Sequence, residues 1–320
     1  MKIKTLAQYI SLLFYISLSF SISISLIYAQ AQAPSSITPV SSPTPTPTPT
    51  PLPKVKSSPS LKDVCVENLK SLPSQHNLEK LNLVCSSVTS IPSCKSNNGE
   101  IIFHYDKKGE NKRGLKIFAF SLIHGDEPLS GSVTRSWMER LTEIAPRNSW
   151  RIIPIANPDG WHANTRANAK GVDLNRNFPS KNWEKEAYNY WAKDMKKDPR
   201  RYPGNKAASE AETKCIIEHI KNFKPDFIVT IHTPLGTLDF DGPKLKYPKY
   251  KDLPWIRLGN YPGSLGRYMW KDGKIPVLTI ELKGENSVKR MGDLDKLQDI
   301  SSIVAIMANK GSLKNRTTDD

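Results

Sequence analysis

The sequence predicts an α/β domain: a mixed, mostly parallel twisted sheet with helices on both faces. Three observations carry that expectation. Short apolar runs at 115–123, 227–231 and 277–280 have no polar alternation, the pattern of strands buried on both faces. Amphipathic stretches with helical spacing, such as 209–222 with Ile216, Ile217 and Ile220, fall between them. The alternation of the two kinds of segment is that of a parallel sheet joined by helical crossovers.

The chain begins differently. Of its 320 residues, the first sixty hold no Asp or Glu, four lysines and nine of the 25 prolines. Lys2 and Lys4 precede an apolar stretch from Tyr9 to Tyr28, and Ala29-Gln30-Ala31 follows it. Basic start, apolar centre and small-x-small site are expected to be a secretory signal over 1–31, with an uncleaved anchor as the reading left open. No cysteine stands near that site to take a lipid. The Thr-Pro alternation from Thr44 to Pro51 lacks the donors for a helix or a ladder, so 32–60 is expected to be an extended linker. Export would allow disulfides among Cys65, Cys85, Cys94 and Cys215. The expectation is one bridge within the first three, with Cys215 left as a small buried hydrophobe in a helix. Residues 61–95 are expected to form a small cysteine-containing cap, 96–312 the main domain, and 313–320 a polar tail.

In order after the linker, helical spacing predicts a helix at 61–72. Strands follow at 101–105 and 115–123, a helix at 128–144 and a strand at 150–155. Asn157-Pro158-Asp159-Gly160 is read as a turn. A helix at 209–222, strands at 227–231 and 277–280, and a helix at 297–308 complete the list. One apolar run alone is long enough to cross a membrane, which excludes a multi-span protein. The formal charge of +15 raises the question of nucleic acid, but no nucleic-acid-binding motif is present. Cleavage after Ala31 would remove Lys2 and Lys4, leaving 15 − 2 = +13. That charge suits an anionic partner in the cell envelope.

Ligand-type residues stand where the apolar runs stop: His124 and Glu127, His232, and Glu281. In open α/β sheets, ligands bind beyond the carboxyl ends of the strands. Two His and one Glu, with a position left for water, form the ligand set of catalytic zinc. Glu281, in the run Pro276-Val277-Leu278-Thr279-Ile280-Glu281-Leu282, is a carboxylate too costly to bury without a partner or a task, and it fits a general base. Arg166 and the block Gly171-Val172-Asp173-Leu174-Asn175-Arg176-Asn177-Phe178-Pro179 offer guanidinium groups for an oxyanion and a substrate carboxylate.

His124-x-x-Glu127, the Asn157–Gly160 turn, the Val172–Pro179 block, His232 after a strand and Glu281 in a strand resemble the zinc metallocarboxypeptidases of the carboxypeptidase A type, in order over roughly residues 95 to 310. Thr165–Pro179, Pro203–Thr213, Ile231–Gly236 and Tyr261–Tyr268 are similar to the murein peptide amidase branch. The resemblance implies a carboxypeptidase-like fold and one Zn2+ per chain, held by His124, Glu127 and His232. It implies Glu281 as base, Arg166 at the scissile carbonyl, and Asn175 with Arg176 at the terminal carboxylate. It implies peptidoglycan stem peptides or muropeptides as substrate, cut between γ-D-Glu and meso-diaminopimelate; the N-terminal signal pattern carries the expectation of export, to the periplasm, the envelope or the medium. Asp239 and Asp241 are candidates to meet the diaminopimelate ammonium, and Ser264 to contact substrate. The family's active-site tyrosine stays unassigned between Tyr261 and Tyr268. Two other readings stay open: an aspartoacylase-like deacylase on the same scaffold, and a non-catalytic wall-binding protein. The oligomeric state is unknown, and any membrane contact would be through an uncleaved N-terminal segment.

Overall fold

The computed structural model describes residues 59–284 and 291–316. The signal and nearly all of the linker expected for residues 1–60 lie outside them, as does the end of the polar tail.

The elements run α1 (Leu61–Lys70), α2 (Leu78–Cys85), β1 (Thr89–Lys95), β2 (Ile101–Lys107), β3 (Lys116–Ser121), α3 (Pro128–Glu143), β4 (Ser149–Ile153) and α4 (Pro158–His162). Then come α5 (Trp183–Asn189), α6 (Ala211–Phe223), β5 (Phe227–His232), β6 (Thr237–Asp241), β7 (Val277–Glu281) and α7 (Met291–Arg316). The seven strands form one sheet in the order β1-β2-β4-β3-β5-β7-β6. β4, β3, β5 and β7 are mutually parallel, and both edges are antiparallel.

β3 shows why the apolar runs read as central strands. Ile117 and Ala119 face one core, with α3 and α7; Phe118 and Phe120 face the other, with α6. All four are fully buried. At about 1.5–3 kcal/mol per large apolar side chain removed from water, a polar residue on either face would be costly. Helices therefore cover both faces, as the run predicted.

The N-terminal segment is tied into this core. Ser60 and Asp63 form a reciprocal cap on α1, which starts the helix where the proline-rich stretch ends. Cys65–Cys85 clips α1 to α2. Arg135 of α3, fully buried, donates to the carbonyls of Leu69, Leu72, Pro73, Ser74 and Gln75, satisfying the end of α1 and the loop after it. β1 adds an edge strand against β2.

Three expectations need correction. Cys215 is not a free hydrophobe: it is bonded to Cys94, with a Cα–Cα distance of 4.8 Å. β1 and α6 lie side by side although 121 residues separate the two cysteines, a proximity that spacing does not reveal. The Asn157–Gly160 segment is the start of a short helix, because the Asn157 side chain accepts from Gly160 N (3.0 Å) and Pro158 sits at the first helical position. The last helix runs to Arg316 rather than ending at 308.

Candidate active site

Every candidate ligand or catalytic residue lines one cavity of about 530 Å³ at the carboxyl ends of β3, β5 and β7: His124, Glu127, Arg166, Asn175, Arg176, His232, Asp241, Ser264 and Glu281. The strand ends place them. β3 stops at Ser121, and Leu122 then takes a left-handed backbone (φ 50°), unfavourable for a branched side chain. Ser130 Oγ accepts from Leu122 N (3.1 Å), and Asn157 N donates to Leu122 O (2.9 Å). This held kink redirects the chain so that His124 enters the cavity. Gly125 follows because its backbone lies against that of Gly160, leaving no room for a side chain. Glu127 then stands at the N-cap position of α3, its carboxylate left free of the helix end, with Pro128 next.

His232 ends β5 and stands in register with Glu281 at the end of β7. Glu127 bridges the two histidines: Oε1 lies 2.8 Å from His124 Nδ1, and Oε2 lies 3.0 Å from His232 Nδ1. Thr233 N also donates to Oε2 (3.3 Å). Burial opposes the Glu127 charge, yet the two imidazoles hold its carboxyl well below the usual range. The three ligand atoms lie within 4.8 Å of one another, all buried.

Asp173, fully buried, fixes the geometry behind this triad. Its Oδ1 faces His124 Nε2 (3.1 Å) and accepts from Asn175 N (3.0 Å). Its Oδ2 accepts from Arg166 Nε and Nη2 (3.2 and 2.9 Å). Burial would raise its pKa, but Arg166 and His124 drive it far down. With Nε2 engaged by a carboxylate, Nδ1 is the His124 atom that faces Glu127 and His232, the outer support that metal-bound histidines use. Two imidazole nitrogens and a carboxylate oxygen, converging and backed in this way, fit a zinc ion with a position for water.

Glu281 sits beside the triad, and Leu235 N approaches its Oε2 (3.4 Å). Burial raises its pKa, His232 opposes that, and Glu127 adds to it. Arg166 Nη1 lies 3.1 Å from His124 Nδ1 and 3.7 Å from Glu127 Oε1, so its guanidinium stands beside the triad. Arg176 is 8% exposed. Its guanidinium lies 4.9 Å from the Tyr261 ring centroid, and its Nε has no hydrogen-bond partner among the described residues. A buried N–H without a partner costs about 1–3 kcal/mol unless a ligand satisfies it. Asn175 Oδ1 accepts from Leu265 N (3.0 Å), which ties this pair to the Ser264 segment. Ser264 Oγ itself accepts from Arg267 N (3.2 Å). Tyr261 lines the cavity, whereas Tyr268 stacks on Phe178 and does not.

Asp239 and Asp241 share a face of β6 and line the same cavity. Burial, then Asp241, pushes the Asp239 carboxyl up to about 6. Asp241 is raised by burial, with Asn260 and Arg257 opposing.

The sequence assigns no role to Asp173 or to the rim residues Asp198, Arg200 and Arg201, and marks Asp239 and Asp241 only by their position a few residues beyond His232. Asp173 had a usable signal: a carboxylate between Val172 and Leu174, as conspicuous as Glu281 between Ile280 and Leu282.

Fold and site together define an α/β protein with a candidate two-histidine, one-glutamate metal site at the carboxyl edge of its sheet. The zinc carboxypeptidase family profile matches residues 95–237. Murein peptide amidase A of Vibrio campbellii is 30% identical over 183 residues, 54% of this chain and 70% of that protein. The Escherichia coli K12 protein of that name is 35% identical over 118 residues, 36% of this chain and 48% of its own length, so the match spans about half of it. The carboxypeptidase A structure from Helicoverpa armigera shares the fold, with a TM-score of 0.56 at 17% identity, covering 73% of each chain. The chain belongs to the zinc carboxypeptidase family.

Proposed function

We propose that this chain is an exported, zinc-dependent peptide hydrolase that cuts peptidoglycan stem peptides between γ-D-glutamate and meso-diaminopimelate. The observation that carries the reading is the convergence, in one cavity, of the His124–Glu127–His232 set, Glu281, Arg166, the Asn175–Arg176 pair and the Asp239–Asp241 pair. The similarity to murein peptide amidase A directs it to murein peptides. Export is supported by the basic-apolar start of the chain and by the two disulfides, which suit an oxidising compartment.

His124, Glu127 and His232 would hold zinc, which when bound polarises a carbonyl and lowers the pKa of its water to near 7. Glu281 accepts the proton of the attacking water on its carboxylate and returns it to the leaving amine; its raised pKa suits both directions. Arg166 faces the oxygen of the carbonyl under attack and stabilises the charge that develops there. Arg176, with its guanidinium beside the Tyr261 ring and its Nε without a partner among the described residues, grips the terminal carboxylate together with Asn175. Tyr261 takes the place of the family's active-site tyrosine, since it alone of the two candidates lines the cavity. Asp239 and Asp241 meet the distal ammonium of diaminopimelate.

Digestion of a defined muropeptide set, followed by mass spectrometry, tests this. Diaminopimelate-containing fragments should be released, a chelator should abolish their release, and added zinc should restore it. Persistence of every muropeptide with zinc present, or release of acyl groups from acyl-aspartate instead, would overturn the reading.

A further inference from the structure

The cavity has two guanidinium groups that the mechanism above does not use. Arg200 and Arg201 line it from a short helical turn, Pro199–Arg201. The turn is preset: Asp198 Oδ1 accepts from Arg200 N (2.9 Å), and Pro199 fixes the first φ. The residues on either side of Arg201 are pinned to the catalytic loop by their carbonyls. Arg200 O accepts from Arg166 Nε (3.1 Å), and Tyr202 O accepts from Asp173 N (2.8 Å). Arg201 is thereby held alongside the residues that carry Asp173, Asn175 and Arg176. Both side chains remain reachable, at 64% and 43% exposed. Their present partners are peripheral carboxylates: Asp126 Oδ2 at 3.0 Å from Arg200 and Asp198 Oδ2 at 3.5 Å from Arg201. Arg201 Nη1 also reaches Met195 Sδ (3.0 Å). Exposed pairs of this kind contribute little, and the guanidinium groups can exchange them for a carboxylate in the cavity. Burial, then Arg166 and Arg201, disfavours the Arg176 charge, against the pull of Asp173. An anion between these arginines relieves that repulsion.

We propose that Arg200 and Arg201 take a second substrate carboxylate, distinct from the terminal one at Asn175 and Arg176: the free α-carboxylate of a γ-linked glutamyl residue. The inference rests on the hydrolase reading and deepens it. In an ordinary peptide the α-carboxyl is consumed in the amide. In a γ-linked one it stays free on the acyl side of the scissile bond. The Arg200 carbonyl is bonded to Arg166, which faces the carbonyl under attack, so the turn stands next to that acyl unit. The two arginines thus select γ-glutamyl over α-linked bonds.

The test compares γ-D-glutamyl-diaminopimelate with the 4-aminobutyryl analogue, which lacks only that carboxylate. Calorimetry on the zinc-loaded full chain carrying Glu281→Gln reads binding, and the chain with Glu281 intact reads kcat and KM. The glutamyl peptide should bind at least about tenfold more tightly, with the difference in KM rather than kcat. Arg201→Gln and Arg200→Gln should each shrink that ratio, and Arg201→Lys should restore part of it. Comparing two peptides on one protein cancels any loss of folded material. Equal affinity for both peptides, or equal losses on both in Arg201→Gln and Arg200→Gln, would overturn the carboxylate site. Discrimination in binding without hydrolysis of either peptide supports the site and overturns the hydrolase reading.

Discussion

The metal-side wall of the cavity and the Asp239–Asp241 floor treat buried charge in opposite ways. On the wall the two carboxylates that support the histidines have their counter-charges at hydrogen-bond distance: Glu127 between two imidazoles, Asp173 between Arg166 and His124. Their pKa values fall despite burial. On the floor two carboxylates stand side by side on one face of a strand, with Arg257 opposing only in part, and both rise. The wall is balanced before substrate arrives and acts as preorganised machinery. The floor is unbalanced and gains most when a cation enters. Disturbing the wall should therefore cost turnover, while disturbing the floor should cost recognition and improve stability.

The largest effect belongs to the residue that moves the proton. Glu281→Gln should retain zinc and lose about 10²–10⁴-fold in turnover, the usual scale of general-base catalysis. His232→Ala should lose turnover and metal together, because Glu127 and His124 alone leave two ligands. Metal analysis beside a peptide assay separates the two outcomes. Near-normal turnover in Glu281→Gln would remove it from the mechanism.

Asp173→Asn should come next. The amide can still reach His124 Nε2 and Arg166, but it carries no charge, so the histidine loses its support and Arg166 its counter-ion. Outer carboxylates of this kind are worth about 10–100-fold in metal affinity. Competition with a zinc chelator reads that loss directly. An unchanged affinity would mean that His124 is held by packing alone.

The wall was far more legible in the sequence than the floor, for a physical reason. Strands buried on both faces are continuous apolar runs, so a His or Glu ending one is conspicuous, as with His124, His232 and Glu281. β6 is an edge strand, and its Thr-Leu-Asp-Phe-Asp alternation, followed by Gly242, reads equally well as a turn. Only pairing with β7 shows that Asp239 and Asp241 point to the cavity side. The Cys94–Cys215 bond was hidden likewise, since it depends on the edge strand β1 meeting α6. The chemistry carried by central strands could be read locally; that at the sheet's edges required the pairing.

The floor's own prediction is the smallest and has a defined sign. The Asp239 carboxyl titrates near 6 in the folded chain, against an ordinary 3.8. Between those values the folded state binds more protons than the unfolded one. The contribution of Asp239 to stability is therefore intact below about pH 4 and lost as pH rises through 6. A shift of that size converts to about 3 kcal/mol, and water in the cavity trims it to about 1–2 kcal/mol. Asp239→Asn removes the penalty. The variant should melt about 2–8 °C higher than the parent at pH 8, with the gap closing toward pH 4. The same change should raise KM for peptides bearing the distal ammonium and spare analogues without it. A variant no more stable at pH 8, or one that weakens both peptide classes alike, would show that the floor is balanced by a neighbour and is not held open for a cation.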